Sequence, residues 1–155
     1  MTPTTASAIA DYFIWLANET GSYVSNLKLQ KLLYYAQAWY LAIYGEPLFD
    51  EDFEAWIHGP VIPALYDHYQ TFGWKPIFQD IEAPNFSEEI QDFLEELSEV
   101  YFGRDGFELE QMTHIEEPWI HARGNISLDE PSNAIISKES MREYFKHRVV
   151  KEKAN

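Results

Sequence analysis

Between Ser25 and Gly45 the chain carries apolar and aromatic side chains on every side of a helix: Leu27, Leu29, Leu32, Leu33, Tyr34, Tyr35, Ala36, Ala38, Trp39, Tyr40, Leu41 and Ile43. Ser25 can cap its start and Gly45 can stop its end. A helix that is apolar all round must be covered all round. The rest of the chain therefore has to wrap this segment, and 155 residues suffice for one such core. Ten Phe, ten Tyr and five Trp supply the bulk that fills it.

The remaining segments read as the wrapping. Residues 5–19 form a helix through Ala6, Ile9, Ala10, Phe13 and Leu16, with Gly21 past its end. Phe53, Ala55 and Ile57 alternate with Glu54, Trp56 and His58, which predicts a short strand ended by Gly59 and Pro60. Pro60 suits the first turn of a new helix running to about Thr71, with Val61, Leu65 and Tyr69 on its apolar face and Pro63 also in the first turn. Residues 73–86 hold Gly73, Pro76 and Pro84 and read as a loop. Ser87 caps a helix whose stripe is Ile90, Phe93, Leu94, Leu97 and Tyr101, while Asp92, Glu95, Glu96 and Glu99 face water and Gly103 and Gly106 break it. Short helices follow at Glu108 to His114 and Pro118 to Ala122. Residues 131–136 read as a connector, and Ser137 caps a last helix that buries Met141, Tyr144, Phe145 and Val149. The expected fold is mainly α: a compact single domain over residues 1–155, with six or seven helices around the central one at about 26–44. At most a small β element is expected near 53–58, and a basic C-terminal tail at about 146–155.

Charge divides the chain. Residues 1–75 hold 8 acids and 3 bases, residues 76–130 hold 15 and 2, and residues 131–155 hold 3 and 6. The net charge of −15 disfavours direct nucleic-acid binding, which draws most of its affinity from phosphate contacts. The acidic block reads either as a solvated helix face or as a docking face for a basic partner. The absence of cysteine excludes disulfides, thiolate metal sites and a cysteine nucleophile. No positively charged leader opens the sequence and no apolar run reaches membrane-spanning length, so a cytoplasmic protein without a membrane partner is expected.

Patterns that carry chemistry are sparse. His58, His68, His114, His121 and His147 form no metal-binding spacing. His114 and His121 flank Pro118 and can share a site only if the turn folds them together; otherwise His114 bonds locally and His121 lies on the surface. No nucleophile elbow and no Gly-rich phosphate loop is present. Acid pairs such as Glu95–Glu96 and Glu116–Glu117 read as solvated faces. These patterns point away from an enzyme and from any cofactor or metal, the alternative being a hydrolase or metalloprotein built on His58, His114 and nearby acids. Gln30, Lys31 and Gln37 are the polar exceptions in the apolar helix. They form its solvent strip, or they line a groove with His58, Gly59, Pro60, Thr113 and His114. A buried Lys31 would need a carboxylate or a path for its stem to the surface.

The run from Leu29 to Gln37, with Gln30, Lys31 and Tyr35 inside it, resembles the first signature of the Panacea domain, the SocA-like antitoxin family of phage and prophage genes. Further elements follow in order: Gly45, Pro47, Leu48 and Phe49; Glu54, Ala55 and Trp56; then His58, Gly59, Pro60, Val61, Pro63 and Tyr66. Leu109, Thr113, His114, Pro118, Trp119 and Ala122 resemble its second signature, and Ile136, Met141, Tyr144 and Phe145 its closing helix. The resemblance covers about residues 5–146. It implies an antitoxin of a toxin–antitoxin system that neutralises a co-encoded protein toxin by direct contact. It also implies an alternative, an adaptor that delivers the toxin to an ATP-dependent protease. Gln30, Lys31, Tyr35, Gln37, Trp56, His58, Gly59, Pro60, Thr113, His114 and Trp119 are then the signature positions, with a partner-binding or structural role. Residues 76–106 match no signature and are expected to set the choice of partner.

Overall fold

The computed structural model describes residues 2–154, with side chains through Val149. Helix α1 spans Ala6–Thr20, and Thr5 caps it by accepting the Ala8 N–H. Helix α2 spans Asn26–Tyr44; the Ser25 hydroxyl accepts the Lys28 N–H, and Gly45 ends the helix at φ 77°. Strand β1 (Phe53–Trp56) and strand β2 (Gly59–Val61) form a hairpin, followed by the short helix α3 (Pro63–His68) and a 3-10 turn over Gln70–Phe72. Helices α4 (Glu88–Tyr101), α5 (Gly106–His114) and α6 (Glu117–Arg123), strand β3 (Ile135–Ile136) and helix α7 (Lys138–Ala154) complete the chain. The fold is mainly α, with seven α-helices and one three-stranded sheet among the described residues.

Helix α2 lies at the centre, as its all-round apolar character demands. Leu29, Leu32, Leu33, Tyr34, Tyr35, Ala36 and Ala38 are fully buried. Helices α1, α4, α5 and α7 and strand β2 all pack against it, α7 most extensively. The α2–α7 seam is aromatic. The Phe145 ring lies 5.1 Å from Trp39 and 6.0 Å from Tyr35, edge-on to both, and Tyr35 stacks on Tyr101 at 4.3 Å. Edge-to-face and offset contacts of this kind add to the area that the rings bury.

The sheet is antiparallel with order β2-β1-β3. It extends the expected β element in two directions. Pro60 sits in β2 and does not open a helix; Pro63 takes that place at the first position of α3. An edge strand tolerates proline because its outer edge needs no N–H for the ladder. Val61 accordingly belongs to β2, and the helix after it ends at His68, short of Thr71. Residues 135 and 136, expected as connector, pair with Glu54 and Phe53 as β3. Gly106 opens α5, with the Asp105 carboxylate accepting the Glu108 N–H. The segment 73–86 is irregular but anchored: Ile77 donates to Val24 O and Asn18 donates to Gln79 O. Of the expected basic tail, the side chains from residue 150 onward and the whole of residue 155 lie outside the described residues.

Phe145→Ala should lower unfolding free energy by about 3–5 kcal/mol, because it opens a cavity in the α2–α7 seam. Phe107→Ala, at a side chain 69% exposed, should stay within about 0.5 kcal/mol. Urea unfolding of both variants checks this.

Candidate functional site

Most signature residues converge on the β1–β2 hairpin. Its strands end at Trp56 and Gly59, which face each other across the turn residues Ile57 and His58. No non-glycine residue here has positive φ, so the left-handed step that closes the hairpin falls on Gly59, at φ 105°. Close approach fixes the same position independently. A Cβ on Gly59 would lie 2.5 Å from Lys31 Cε and 2.9 Å from Thr113 Oγ1. The Lys31 stem crosses the glycine where any side chain would stand.

Two polar side chains of α2 complete the outer edge of β2. Lys31 Nζ donates to the Pro60 carbonyl at 3.1 Å. Gln30 Oε1 accepts the Ile62 N–H at 2.9 Å, and Gln30 Nε2 donates to Asn26 Oδ1. The helix thereby meets backbone groups that a fourth strand would otherwise meet. Gln30 and Lys31 are both 0% exposed, so they form no solvent strip. Burial depresses the Lys31 amine to about 7, against an opposing pull from the nearby Glu110 carboxylate. Lys31 bonds a carbonyl and makes no ion pair with Glu110; its stem does not reach the surface.

The remaining contacts come from α5 and α6. Glu110 Oε1 lies 2.9 Å from His58 Nδ1, and the His58 side chain is 72% exposed against 12% for Glu110. Thr113 Oγ1 donates to Glu110 O. The His114 ring stacks on Trp119 at 4.1 Å; burial lowers its pKa against the pull of Glu110 and a backbone hydrogen bond at Ile57, and its Nε2 has no partner. Trp119 Nε1 donates to Trp56 O at 2.8 Å, and Arg123 Nη1 donates to Ala55 O at 2.9 Å. These donors satisfy β1 carbonyls from the helical side.

Gln37 and Tyr35 lie elsewhere. Gln37, seven residues after Gln30, makes a pair of hydrogen bonds to the backbone of another segment: Leu48 N donates to its Oε1, and its Nε2 donates to Phe49 O, both at 2.7 Å. Tyr35 donates to Glu116 Oε1 at 2.9 Å. Burial pushes Glu116 up to about 7, while Tyr35 and the Arg148 guanidinium pull it back. Glu116 is buried, in contrast to the solvated pair expected with Glu117.

Sequence reasoning missed Glu110, Glu116 and Arg123 as members of this network. A chain with 26 acids hides two buried ones. The hub is a device for holding backbone. Its amine is sealed from solvent, whereas the His58 imidazole borders an open groove of about 1020 Å³ lined also by Trp56, Tyr66 and Trp74. Among the described residues no three His, Asp or Glu side chains are grouped to hold a metal. His121 is exposed, while His114 is engaged at the hairpin. No helix among the described residues is long and apolar enough to cross a membrane.

Comparison with known proteins places this hub inside a recognised segment. The family model described as antitoxin SocA-like, Panacea domain, matches residues 29–120. Antitoxin SocA of Caulobacter vibrioides (strain NA1000 / CB15N) is 42% identical over 72 residues, which cover 46% of this chain and 38% of that protein. The match thus spans well under half of that relative's length. No solved structure matches the chain significantly.

Two expectations follow for the hub. Gly59→Ala should destabilise by about 2–5 kcal/mol, because left-handed strain and overpacking against Lys31 act together. Thermal melts of Gly59→Ala beside Gly21→Ala check this, since Gly21 shares a positive φ but has nothing within 4 Å; the larger loss should fall on Gly59. The second expectation concerns pH. The unfolded lysine keeps its proton to about pH 10.4, whereas folded Lys31 releases it near pH 7. Between those values the unfolded state binds more protons, so the Lys31 contribution to stability rises with pH. The stability difference between wild type and Lys31→Met should therefore shift in favour of wild type from pH 7 to pH 10, as read by denaturant unfolding at each pH.

Proposed function

The chain belongs to the SocA-like antitoxin family of Panacea domains, and on that premise we propose that it neutralises a co-encoded protein toxin by direct contact. The observation that carries this reading is the family match, which runs without a break from Leu29 in α2 through the hairpin, α3, α4 and α5 into α6. Antitoxin SocA of Caulobacter vibrioides matches within the same chain. The geometry supports a binding scaffold. The polar signature residues Gln30, Lys31, Gln37 and Thr113 are engaged in internal bonds, while the surface offers carboxylates and exposed aromatics such as Trp74, 85% exposed. On this reading the protein acts in the cytoplasm without turning over a substrate. The binding module comprises residues 1–155, because α1 and α7 pack on α2 from outside the matched segment. Residues 76–106 select the toxin, since their acidic surface stands apart from the hub.

Co-expression with the product of the adjacent gene tests the proposal. Growth arrest by that product should be relieved, and the two proteins should co-purify. Unrelieved arrest together with no complex sinks the reading. Toxin half-life in a strain lacking ATP-dependent proteases separates blocking from delivery: a half-life that the chain shortens only when the protease is present assigns the adaptor role.

A further inference from the structure

A groove of about 590 Å³ lies between the C-terminal half of α2, α4 and α7. Two of its walls are helical ridges, and Val149 of α7 lines a third side. Phe93, Leu97 and Val100 stand one turn apart on α4, and Trp39, Ala42 and Ile43 line the facing side on α2. The small Ala42 leaves depth between them. Ile43 is 51% exposed and Val100 55% exposed, so two large apolar side chains stand at the rim without cover from the described residues. Parallel ridges at helical spacing are the surface that a third helix fills, ridge into groove.

On the α4 side the charge near the groove is acidic, whereas Arg148 of α7 approaches the lining residue Tyr101 from the other side. Glu96 lies in the wall. Glu89, Glu96 and Asp92 act on the Tyr44 hydroxyl, and Glu46 joins Glu89 around Tyr40, both tyrosines packing on the lining residue Phe93. No ion pair among the described residues engages any of these four carboxylates. Complementary charge around an apolar centre selects partners and speeds encounter.

We infer that this groove seats a basic amphipathic helix of the toxin, its apolar face on Val100 and Ile43 and its lysines or arginines against Glu89, Asp92 and Glu96. The inference rests on the reading of the chain as a toxin-binding protein and names the surface and the chemistry of its occupant.

Two measurements decide it. The first titrates the purified chain calorimetrically with a synthetic helix of about 18 residues, five turns, with leucines at i, i+3, i+4 and i+7 and lysines elsewhere. Val100→Lys should weaken binding at least about tenfold, the loss expected of a central contact. Glu89→Lys with Glu96→Lys should weaken it similarly and flatten its dependence on salt. Phe107→Lys, at an exposed apolar side chain on α5, should leave it unchanged. Equal binding by Val100→Lys and wild type overturns the inference, as does equal binding of a peptide with glutamates in place of lysines. A wild-type dimer that Val100→Lys dissociates assigns the groove to a second copy and also overturns it. The second measurement repeats the growth assay with Ile43→Lys and Val100→Lys, both verified by unchanged melting curves. Loss of protection supports the inference. Protection equal to wild type overturns it while leaving the antitoxin reading intact. Failure of wild type itself counts against the antitoxin reading, and the peptide titration then decides the groove alone.

Discussion

The fold depends on hydrogen bonds that a buried helix makes through its side chains. Gln30, Lys31 and Gln37 are enclosed in the core of α2, where an unmatched amide or amine would be costly. Each is matched to backbone that is far away in sequence: Ile62, Pro60, and the Leu48–Phe49 segment. Removing Gln30 or Gln37 would orphan two groups in a dry interior and removing Lys31 would orphan the Pro60 carbonyl, so each bond constrains both the helix and the segment it holds. The same economy explains the small size of the sheet. Strand β2 needs no further strand, because α2 already serves its outer edge, and β1 receives Trp119 and Arg123 donors from α6. Gly59 is the geometric condition for this arrangement, since the hairpin can approach Lys31 only where no side chain intervenes.

How much of this the sequence discloses depends on whether a feature is local. The bounds of α2 and the start of α4 follow from Ser25, Gly45 and Ser87, residues that cap or stop helices by contacts within one turn. The central place of α2 follows from its apolar circumference. Strands β2 and β3 are illegible because three residues and two residues carry no period, and because Pro60 is as good a helix opener as an edge-strand residue. Strand β3 also finds its partner some 80 residues upstream, in β1. The polar stripe of α2 illustrates a deeper ambiguity. A spacing of seven places Gln30 and Gln37 on one face, but periodicity alone cannot distinguish a face turned to water from one turned to buried backbone. Glu110 and Glu116 are hidden for a different reason: nothing in their immediate neighbours separates them from acids that remain solvated.

The hub and the surface answer to different constraints. Hub residues are fixed by geometry, so a partner that contacted them directly would compete with the bonds that hold the fold. Contacts that choose a partner are better placed on side chains whose replacement leaves the core intact. The exposed face of α4 satisfies this condition. Its apolar stripe packs inward through Ile90, Phe93, Leu94 and Leu97, while its carboxylates face outward.

Freedom to vary must still be combined with a fixed position, because a mobile surface would have to be ordered on binding. The end of α4 is held on both sides by α2. Lys28 Nζ donates to Phe102 O at 2.5 Å and lies over the Phe102 ring, and Trp39 Nε1 donates to the Tyr101 hydroxyl at 2.6 Å. Tyr101 in turn stacks on Tyr35, whose hydroxyl donates to Glu116. Bonds and stacked rings therefore run from Glu116, at the start of α6, through Tyr35 of α2 to the helix that lines the groove. The ridge carrying Val100 is set against the ridge carrying Ile43 before any partner arrives, so binding there forgoes the entropy loss of assembling the groove. A rigid interior that uses its polar residues on itself leaves the outer face of α4 as the place where sequence can change and position cannot.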